Sequence, residues 1–183
     1  MLKVLDDRVV EVVAMSTASP SYAHPELSSP DIQVALMKTA KGTVMHMLCS
    51  FAQPHPGHDP HWLQVLGTGG SLEWRRAGQD KPKLWLDHLQ MHDKTDVDWR
   101  YERTDAPPEA RGSGHSEMDY YVHAAFRDAV LGLKPLAFDV YQAMDTAAPA
   151  ILAAESIAQG SRLLKVPDFR PSAERPVGQL PKM

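Results

Sequence analysis

The fold is decided by residues 31–51, which read DIQVALMKTAKGTVMHMLCSF and alternate in side-chain character on both sides of a Lys41-Gly42 turn. A period of two is typical of strands with one face in a core. A glycine-containing turn between two such runs favours an antiparallel hairpin. Four residues of the second strand share one of its faces: Met45, Met47, Cys49 and Phe51. We expect this face to be core or interface, and Cys49 to be a core thiol rather than a nucleophile.

Further strand patterns flank this hairpin. A valine-rich run ends at Ser19-Pro20, and the turn Gly67-Thr-Gly-Gly70 joins two more runs into a second hairpin. These strands are predicted at residues 8–18, 61–67, 71–75, 83–87 and 162–166. Residues 88–114 are polar and aperiodic, which predicts a loop. Residues 167–183 are proline-rich, which predicts an extended tail.

Two helices are predicted, at residues 116–132 and 140–159. Ser116 and Asp119 resemble a capping box at the start of the first helix, and Asp139 with Gln142 resembles one at the start of the second. Pro149 is expected to kink the second helix by removing one backbone hydrogen bond. The first helix carries an apolar stripe formed by Met118, Val122, Ala125, Phe126 and Ala129.

Strand runs followed by helices, without alternation, indicate an α+β fold. We predict one domain over residues 1–183, with strands within residues 8–87 and at 162–166. Its architecture is an open, mainly antiparallel β-sheet with helices packed on one face. The other face of the sheet is then open to water or to a partner.

Composition excludes several classes of function. The chain has 183 residues, a net charge of -4 and no basic stripe, so we expect neither a nucleic-acid nor a membrane partner. A single cysteine excludes an internal disulfide and a thiolate zinc cluster. The first residues lack the apolar region of a signal peptide. These features favour a cytoplasmic protein.

The densest polar cluster is the proline-rich loop of residues 54–61, which contains His55, His58, Asp59 and His61. Imidazole and carboxylate groups are zinc ligands, but the prolines stiffen the loop and the spacing separates successive histidines. Three interpretations stay open: a substrate-lining loop, a metal site and a plain solvated loop.

A second group lies at the start of the first predicted helix, where His115 precedes Asp119 and Tyr120. Backbone N–H groups at a helix start favour anionic or hydroxyl ligands, so these three side chains could bind a sugar-like molecule. The alternative is that Asp119 only complements the helix dipole and Tyr120 only packs. The glycines at 67–70 lack the spacing and the strand-to-helix setting of a dinucleotide fingerprint.

Two segments carry a family resemblance: GHSEMDYYV at residues 114–122 and FDVYQAMD at residues 138–145. With the turn at 67–70 they resemble the C-terminal domain of the Gfo/Idh/MocA (glucose–fructose oxidoreductase/inositol dehydrogenase) family. The branch with NAD-dependent glycoside hydrolases looks most similar. There a Gly-His-Gly-Gly-x-Asp-Tyr segment opens the helix, whereas Ser116 and Glu117 stand here in place of the two glycines.

The resemblance implies a substrate-binding and dimerisation domain of an NAD(P)-dependent oxidoreductase, or of a glycosidase-like relative, that acts on a sugar or polyol. His115, Asp119 and Tyr120 would be the substrate side of the site, with His55 and His58 as weaker candidates. The chain shows neither the Rossmann half of the family nor its catalytic lysine segment. We therefore expect no nicotinamide binding and no activity by this chain alone, although NAD(P) is implied for the full-length enzyme.

Partners follow from the same resemblance. We expect a homodimer through the open sheet face or association with a separate Rossmann-bearing chain. An alternative is a non-enzymatic interaction subunit whose open face, carrying Met45, Met47 and Phe51, pairs with another chain. A lesser alternative is a metal-dependent hydrolase built on the histidine loop.

Overall fold

The computed structural model describes residues 2–50, 62–99, 106–115, 117–136, 138–175, 177, 179 and 181. The chain divides into two compact units: residues 1–53 with 121–183, called unit 1, and residues 54–120, called unit 2. The α+β class with antiparallel strands is confirmed, and the strands form two four-stranded sheets, one in each unit. None of the helices in the described residues is both long enough and apolar enough to cross a membrane.

The sheet of unit 1 contains four strands in the order β3-β2-β1-β8, all antiparallel. The strands are β1 (Val9–Ser16), β2 (Gln33–Thr39), β3 (Val44–Cys49) and β8 (Leu164–Lys165). The predicted hairpin at residues 31–51 is thus confirmed. Gly42 has a φ of +91° at its turn, a conformation that glycine adopts without a steric cost.

A short helix, α1 (Leu2–Leu5), precedes β1. The core of unit 1 lies between this sheet and helix α3 (Val140–Ala158). Val12 and Met37 are directly opposed across β1 and β2, and both are buried against the helix with Leu152. The predicted capping box is present: the Gln142 amide donates to Asp139 Oδ1 at 2.8 Å, and the Asp139 amide donates to Gln142 Oε1 at 2.9 Å. Local sequence therefore sets where α3 begins, and its packing on the sheet buries the apolar face.

The face of β3 that carries Met45 is core at Met45, as expected, but it is not the open face of the sheet and it does not bury Cys49. Met45 is opposed to the buried Met37 and packs against the core, so its face is the helix-covered one and not the open one. Cys49 is exposed rather than a core thiol. β3 is the edge strand of the sheet, with a described neighbour on one side only. Phe51 lies outside the described residues.

Helix α2 (Met118–Val130) begins close to the predicted position. Its apolar stripe does not face a core, because Met118, Val122 and Phe126 are all exposed. The opposite side contains the buried Asp128, whose carboxylate accepts from Arg127 at 2.7 Å and pairs with Lys134 at 3.2 Å. The amphipathic pattern therefore predicted the helix but not which of its faces is covered.

The sheet of unit 2 has the order β4-β5-β6-β7, again antiparallel. The strands are β4 (Gln64–Gly67), β5 (Gly70–Glu73), β6 (Lys83–Leu86) and β7 (Thr95–Asp96). The glycine-rich turn is a hairpin as predicted, although neither Thr68 nor Gly69 has the positive φ of a primed turn. Gly70 is required for another reason, because a Cβ there would lie 2.6 Å from the Trp85 carbonyl oxygen.

The segment predicted as a loop, residues 88–114, is not wholly irregular. It contains β7, the end of a 3₁₀ turn at Asp87–Leu89 and a second 3₁₀ turn at Pro108–Ala110. β7 is held by an ion pair of 2.7 Å between Lys83 and Asp96. Two residues are too short a strand to show a period of two, so the sequence pattern could not reveal it.

A loop in unit 1 supplies a pH-dependent contact. Asp31 accepts hydrogen bonds from the Ser21 hydroxyl at 2.5 Å and from the Tyr22 amide at 2.7 Å, and these bonds lower the pKa of its carboxyl group. Because the folded pKa is below the unfolded value of about 3.9, the stabilisation is complete above that pH. It is lost as the pH falls through the folded pKa.

We expect the Tyr22 amide resonance to titrate with a midpoint below that of a free aspartate, measured by NMR from pH 6 to pH 2. The Asp31→Asn variant should show no such titration. A midpoint in the wild-type chain at or above about 3.9 would contradict the assignment.

Candidate functional site

The loop that leads into α2 is held by backbone hydrogen bonds. The amides of Glu117 and Asp119 donate to the carbonyls of Ser113 and Gly114 at 3.2 and 3.3 Å. Two non-glycine residues have a left-handed conformation there: His115 with a φ of +52° and Glu117 with a φ of +70°. Such residues store strain and are frequent at functional sites. The local backbone is therefore closely constrained around His115.

His115 and Asp119 form the central pair of this site. Nδ1 of His115 lies 2.9 Å from Oδ1 and 3.1 Å from Oδ2 of Asp119. Because a carboxylate only accepts hydrogen bonds, Nδ1 is the donor and Nε2 carries the lone pair of the neutral ring. The His115 side chain is 85% exposed and that of Asp119 is 42% exposed. The pair thus presents an oriented imidazole to a ligand in solution.

Gly114 makes this pair possible. A Cβ at position 114 would lie 2.3 Å from Asp119 Oδ2 and 3.3 Å from its Cγ. The space that a side chain would take is therefore occupied by the carboxylate group. The sequence motif contained this glycine, but its role became visible only with the position of Asp119.

Tyr120 belongs to the same turn through its backbone. Its amide donates to the Ser113 hydroxyl at 3.4 Å, and the residue is partly buried. Of the capping box predicted here, Ser116 lies outside the described residues. The carboxylate of its other member, Asp119, bonds to His115. The structure thus joins His115 to Asp119 by side chains and Tyr120 to the turn by its main chain.

The histidine loop cannot be compared with this site. His55, His58 and His61 all lie outside the described residues. In the part of the chain that is described, no group of three His, Cys, Asp or Glu residues could hold a metal ion. The metal and substrate interpretations of this loop remain predictions.

The described residues do not fit a nicotinamide dinucleotide. A dinucleotide fold needs parallel strands and a glycine-rich turn that opens a helix, whereas every strand pair between described residues is antiparallel. The turn at residues 67–70 leads from β4 into β5. We therefore assign no cofactor contact to these residues.

The sequence did not predict a salt-bridge group in unit 1, two members of which, Asp145 and Arg170, line a cavity of about 250 Å³. Arg170 donates to both carboxylate oxygens of Asp145, at 3.2 and 2.5 Å, and pairs with Asp168 at 3.3 Å. The Asp145 carboxylate raises the pKa of the Arg170 guanidinium. Since the two residues are 25 positions apart, no local pattern links them; the contact ties the C-terminal tail to α3.

Comparison with known proteins identifies the class. The fold matches that of an oxidoreductase from Agrobacterium radiobacter solved in complex with NAD+, L-tartaric acid and magnesium, with a TM-score of 0.63 at 16% identity. It also matches an inositol dehydrogenase homolog from Azotobacter vinelandii complexed with NAD+, with a TM-score of 0.61 at 17% identity. The matches cover 87% and 88% of this chain. The fold is thus that of the Gfo/Idh/MocA C-terminal domain.

Within that class the chain belongs to the glycosyl hydrolase 109 family: residues 9–173 match the model of its C-terminal domain. An alpha-N-acetylgalactosaminidase from Tannerella forsythia is 29% identical over 170 residues, or 86% of this chain. The chain spans 34% of that relative and 44% of each of the two solved structures. The activity of a whole family enzyme is therefore a matter for proposal.

Proposed function

We propose that this chain is the substrate-binding domain of a glycosyl hydrolase 109-type enzyme that acts on an N-acetylhexosaminide. The observation that carries the proposal is the His115–Asp119 pair, with its bond of 2.9 Å and its exposed imidazole. Membership of the family and the name of the Tannerella relative support the choice of substrate class. The Nε2 lone pair accepts a sugar hydroxyl hydrogen, and Asp119 fixes the ring in the tautomer that allows it.

We assign the transfer of hydride to and from the nicotinamide cofactor to a nicotinamide-bearing domain or chain outside these residues. Similar folds have been solved with NAD+, and the described residues here offer no fit for it. We therefore propose that this chain binds sugar without a cofactor and is inactive alone. Its single cysteine supports the cytoplasmic compartment in the same proposal.

The His115→Ala substitution tests the substrate role. We expect it to weaken binding of methyl N-acetyl-α-galactosaminide roughly 2- to 13-fold, because a net hydrogen bond between neutral groups contributes about 0.5–1.5 kcal/mol. Isothermal titration calorimetry or ligand-observed NMR on the 183-residue chain measures this.

The matched control is His123→Ala, which removes the other histidine of α2, also exposed. It should leave the affinity unchanged. Equal affinities for the wild-type chain and for His115→Ala would overturn the assignment.

We also propose that two copies of the chain associate through the open face of the unit 1 sheet. This face carries an apolar centre made of Val13, Met15, Val34, Leu36 and Leu48. At one end, Glu11 is opposed to Lys38 on β2 and to Lys165 on β8. A two-fold axis brings a surface onto itself, so the acidic group of one copy can meet a basic group of the other.

The dimer is tested by Leu36→Asp, at a side chain that is 49% exposed near the centre of this face. A charge buried in an apolar interface costs several kcal/mol, so we expect a dimeric wild-type chain and a monomeric variant in light scattering. Val177→Asp, at an exposed side chain of the tail, is the control and should stay dimeric. A wild-type chain that is monomeric at every concentration would refute the proposal. A dimer that binds no sugar would favour the interaction-subunit alternative.

A further inference from the structure

Unit 2 contains a second cavity, of about 230 Å³, whose lining includes neither His115 nor Asp119. The described residues that line it come from two chain segments: Gly78, Gln79, Asp80, Lys81, Asp98 and Trp99. The cavity therefore combines one aromatic wall with several polar side chains. The polar side chains can fix the orientation of a small ligand placed against the aromatic wall.

The aromatic wall is held in place by its neighbours. The ring centroids of Trp99 and Trp74 are 5.1 Å apart with an interplanar angle of 60°. The guanidinium of Arg75 lies 4.5 Å from the Trp99 ring centroid, and it also donates to the Gly78 carbonyl at 3.0 Å. Contacts of both kinds are attractive. The indole is thus fixed to the same loop that supplies the polar side chains.

The two lining segments are fixed to each other as well. The Asp80 carboxylate accepts from the Ala77 amide at 3.0 Å and closes the first segment as a turn. The Val97 amide donates to the Pro82 carbonyl at 2.8 Å, directly after the Lys83–Asp96 ion pair. The cavity is therefore formed by the unit 2 sheet and its connections.

The charges of the lining indicate the kind of ligand. Among the described residues, two carboxylates and one ammonium line the cavity, and the Arg75 guanidinium lies against its Trp99 wall, so the charges balance and a neutral ligand is favoured over an ion. Together these groups both donate and accept hydrogen bonds. A pyranose ring offers hydroxyl groups at its edge and C–H groups on its faces, which match the polar side chains and the indole.

We propose that this cavity is a saccharide site that binds one neutral pyranose unit, with Trp99 as its apolar wall and Gln79, Lys81 and Asp98 as its hydroxyl partners. The site is separate from the His115–Asp119 pair and does not rest on the reaction proposed above. In a glycan ligand it would hold a sugar residue other than the one at His115.

The test uses the 183-residue chain carrying His115→Ala, titrated with D-galactose, D-glucose and N-acetyl-D-galactosamine in ligand-observed NMR. We expect millimolar binding of at least one sugar, and at least a tenfold weaker affinity when Trp99→Ala is added. Asp98→Asn should weaken binding about threefold and Trp99→Phe less than that. Trp62→Ala should change nothing, because Trp62 is stacked on Arg76 at 4.2 Å and does not line the cavity.

Each outcome bears on one of the two sites. Thermal unfolding verifies that the variants fold. If the Trp99→Ala chain does not, it is replaced by the double variant Gln79→Ala/Asp98→Ala, which changes two exposed positions. Loss of all binding with His115→Ala alone would overturn the saccharide cavity and leave the proposed function standing. Binding that is lost with Trp99→Ala but unchanged by His115→Ala would support the saccharide cavity and overturn the role of His115 in the proposed function. Residual binding unaffected by the cavity variants would also overturn the cavity.

Discussion

Gly114→Ala is expected to reduce sugar binding several-fold while leaving the chain folded. The added Cβ would lie 2.3 Å from Asp119 Oδ2, which is the far end of a flexible side chain. The carboxylate therefore has to rotate away, and the His115 bond of 2.9 Å is lost. Because the site is exposed, the free energy of unfolding should change by less than about 1 kcal/mol. Binding is measured by calorimetry, and the pair itself by the downfield His115 Nδ1 proton in NMR.

The control for this substitution is Gly69→Ala. A Cβ at position 69 meets nothing within 4 Å, and Gly69 does not have a positive φ. Binding and stability should both match the wild type. If Gly114→Ala keeps the Nδ1 proton signal and full affinity, the geometry assigned to the pair is incorrect.

Ser156→Ala is expected to have the largest effect on stability. Ser156 is fully buried in α3, and its hydroxyl accepts from the Ala14 amide at 3.0 Å and donates to the Arg162 carbonyl at 2.6 Å. β8 pairs with β1 only at Glu11 and Val12, so the serine supplies the partner that the strand lacks at Ala14. Each buried group left without a partner costs about 1–3 kcal/mol. Of the two partners, Ala14 is buried and Arg162 is exposed, so the loss of one buried bond should lower the melting temperature by roughly 2–12 °C, at about 2–4 °C per kcal/mol.

Thr146→Ala serves as the matched change in the same helix. Thr146 is exposed and its hydroxyl donates to the Ala143 carbonyl of its own helix at 2.8 Å, so its loss should change stability by less than about 0.5 kcal/mol. Melting is followed by circular dichroism. A melting temperature of Ser156→Ala within 2 °C of the wild type, on the scale of about 2–4 °C per kcal/mol, would show that the hydroxyl bonds are dispensable.

The candidate site could be predicted only in part. His115, Asp119 and Tyr120 were identified because they cluster at a helix start and match a family segment, both of which are local properties of the chain. The bond between His115 and Asp119 was not predicted, because it depends on the positive φ of His115 and on the space left at Gly114. The cavity at Trp99 gave no local signal, since its two lining segments meet only after β6 and β7 pair.

By itself, the sequence determined the longer strands, the two long helices and the fold class of this protein, but not the two-residue strand β7. The signals for these elements are local and can be read from the chain directly. They are the repeat of apolar side chains every two residues in strands and about every 3.6 in helices, the turn glycines, and the Asp139–Gln142 cap. The tertiary structure alone decided which faces are covered. Met45 is packed against the core because its strand pairs with Met37 in register, whereas Cys49 and Phe126 are exposed. Burial depends on contacts between distant segments, and an apolar pattern does not specify which segment will cover it.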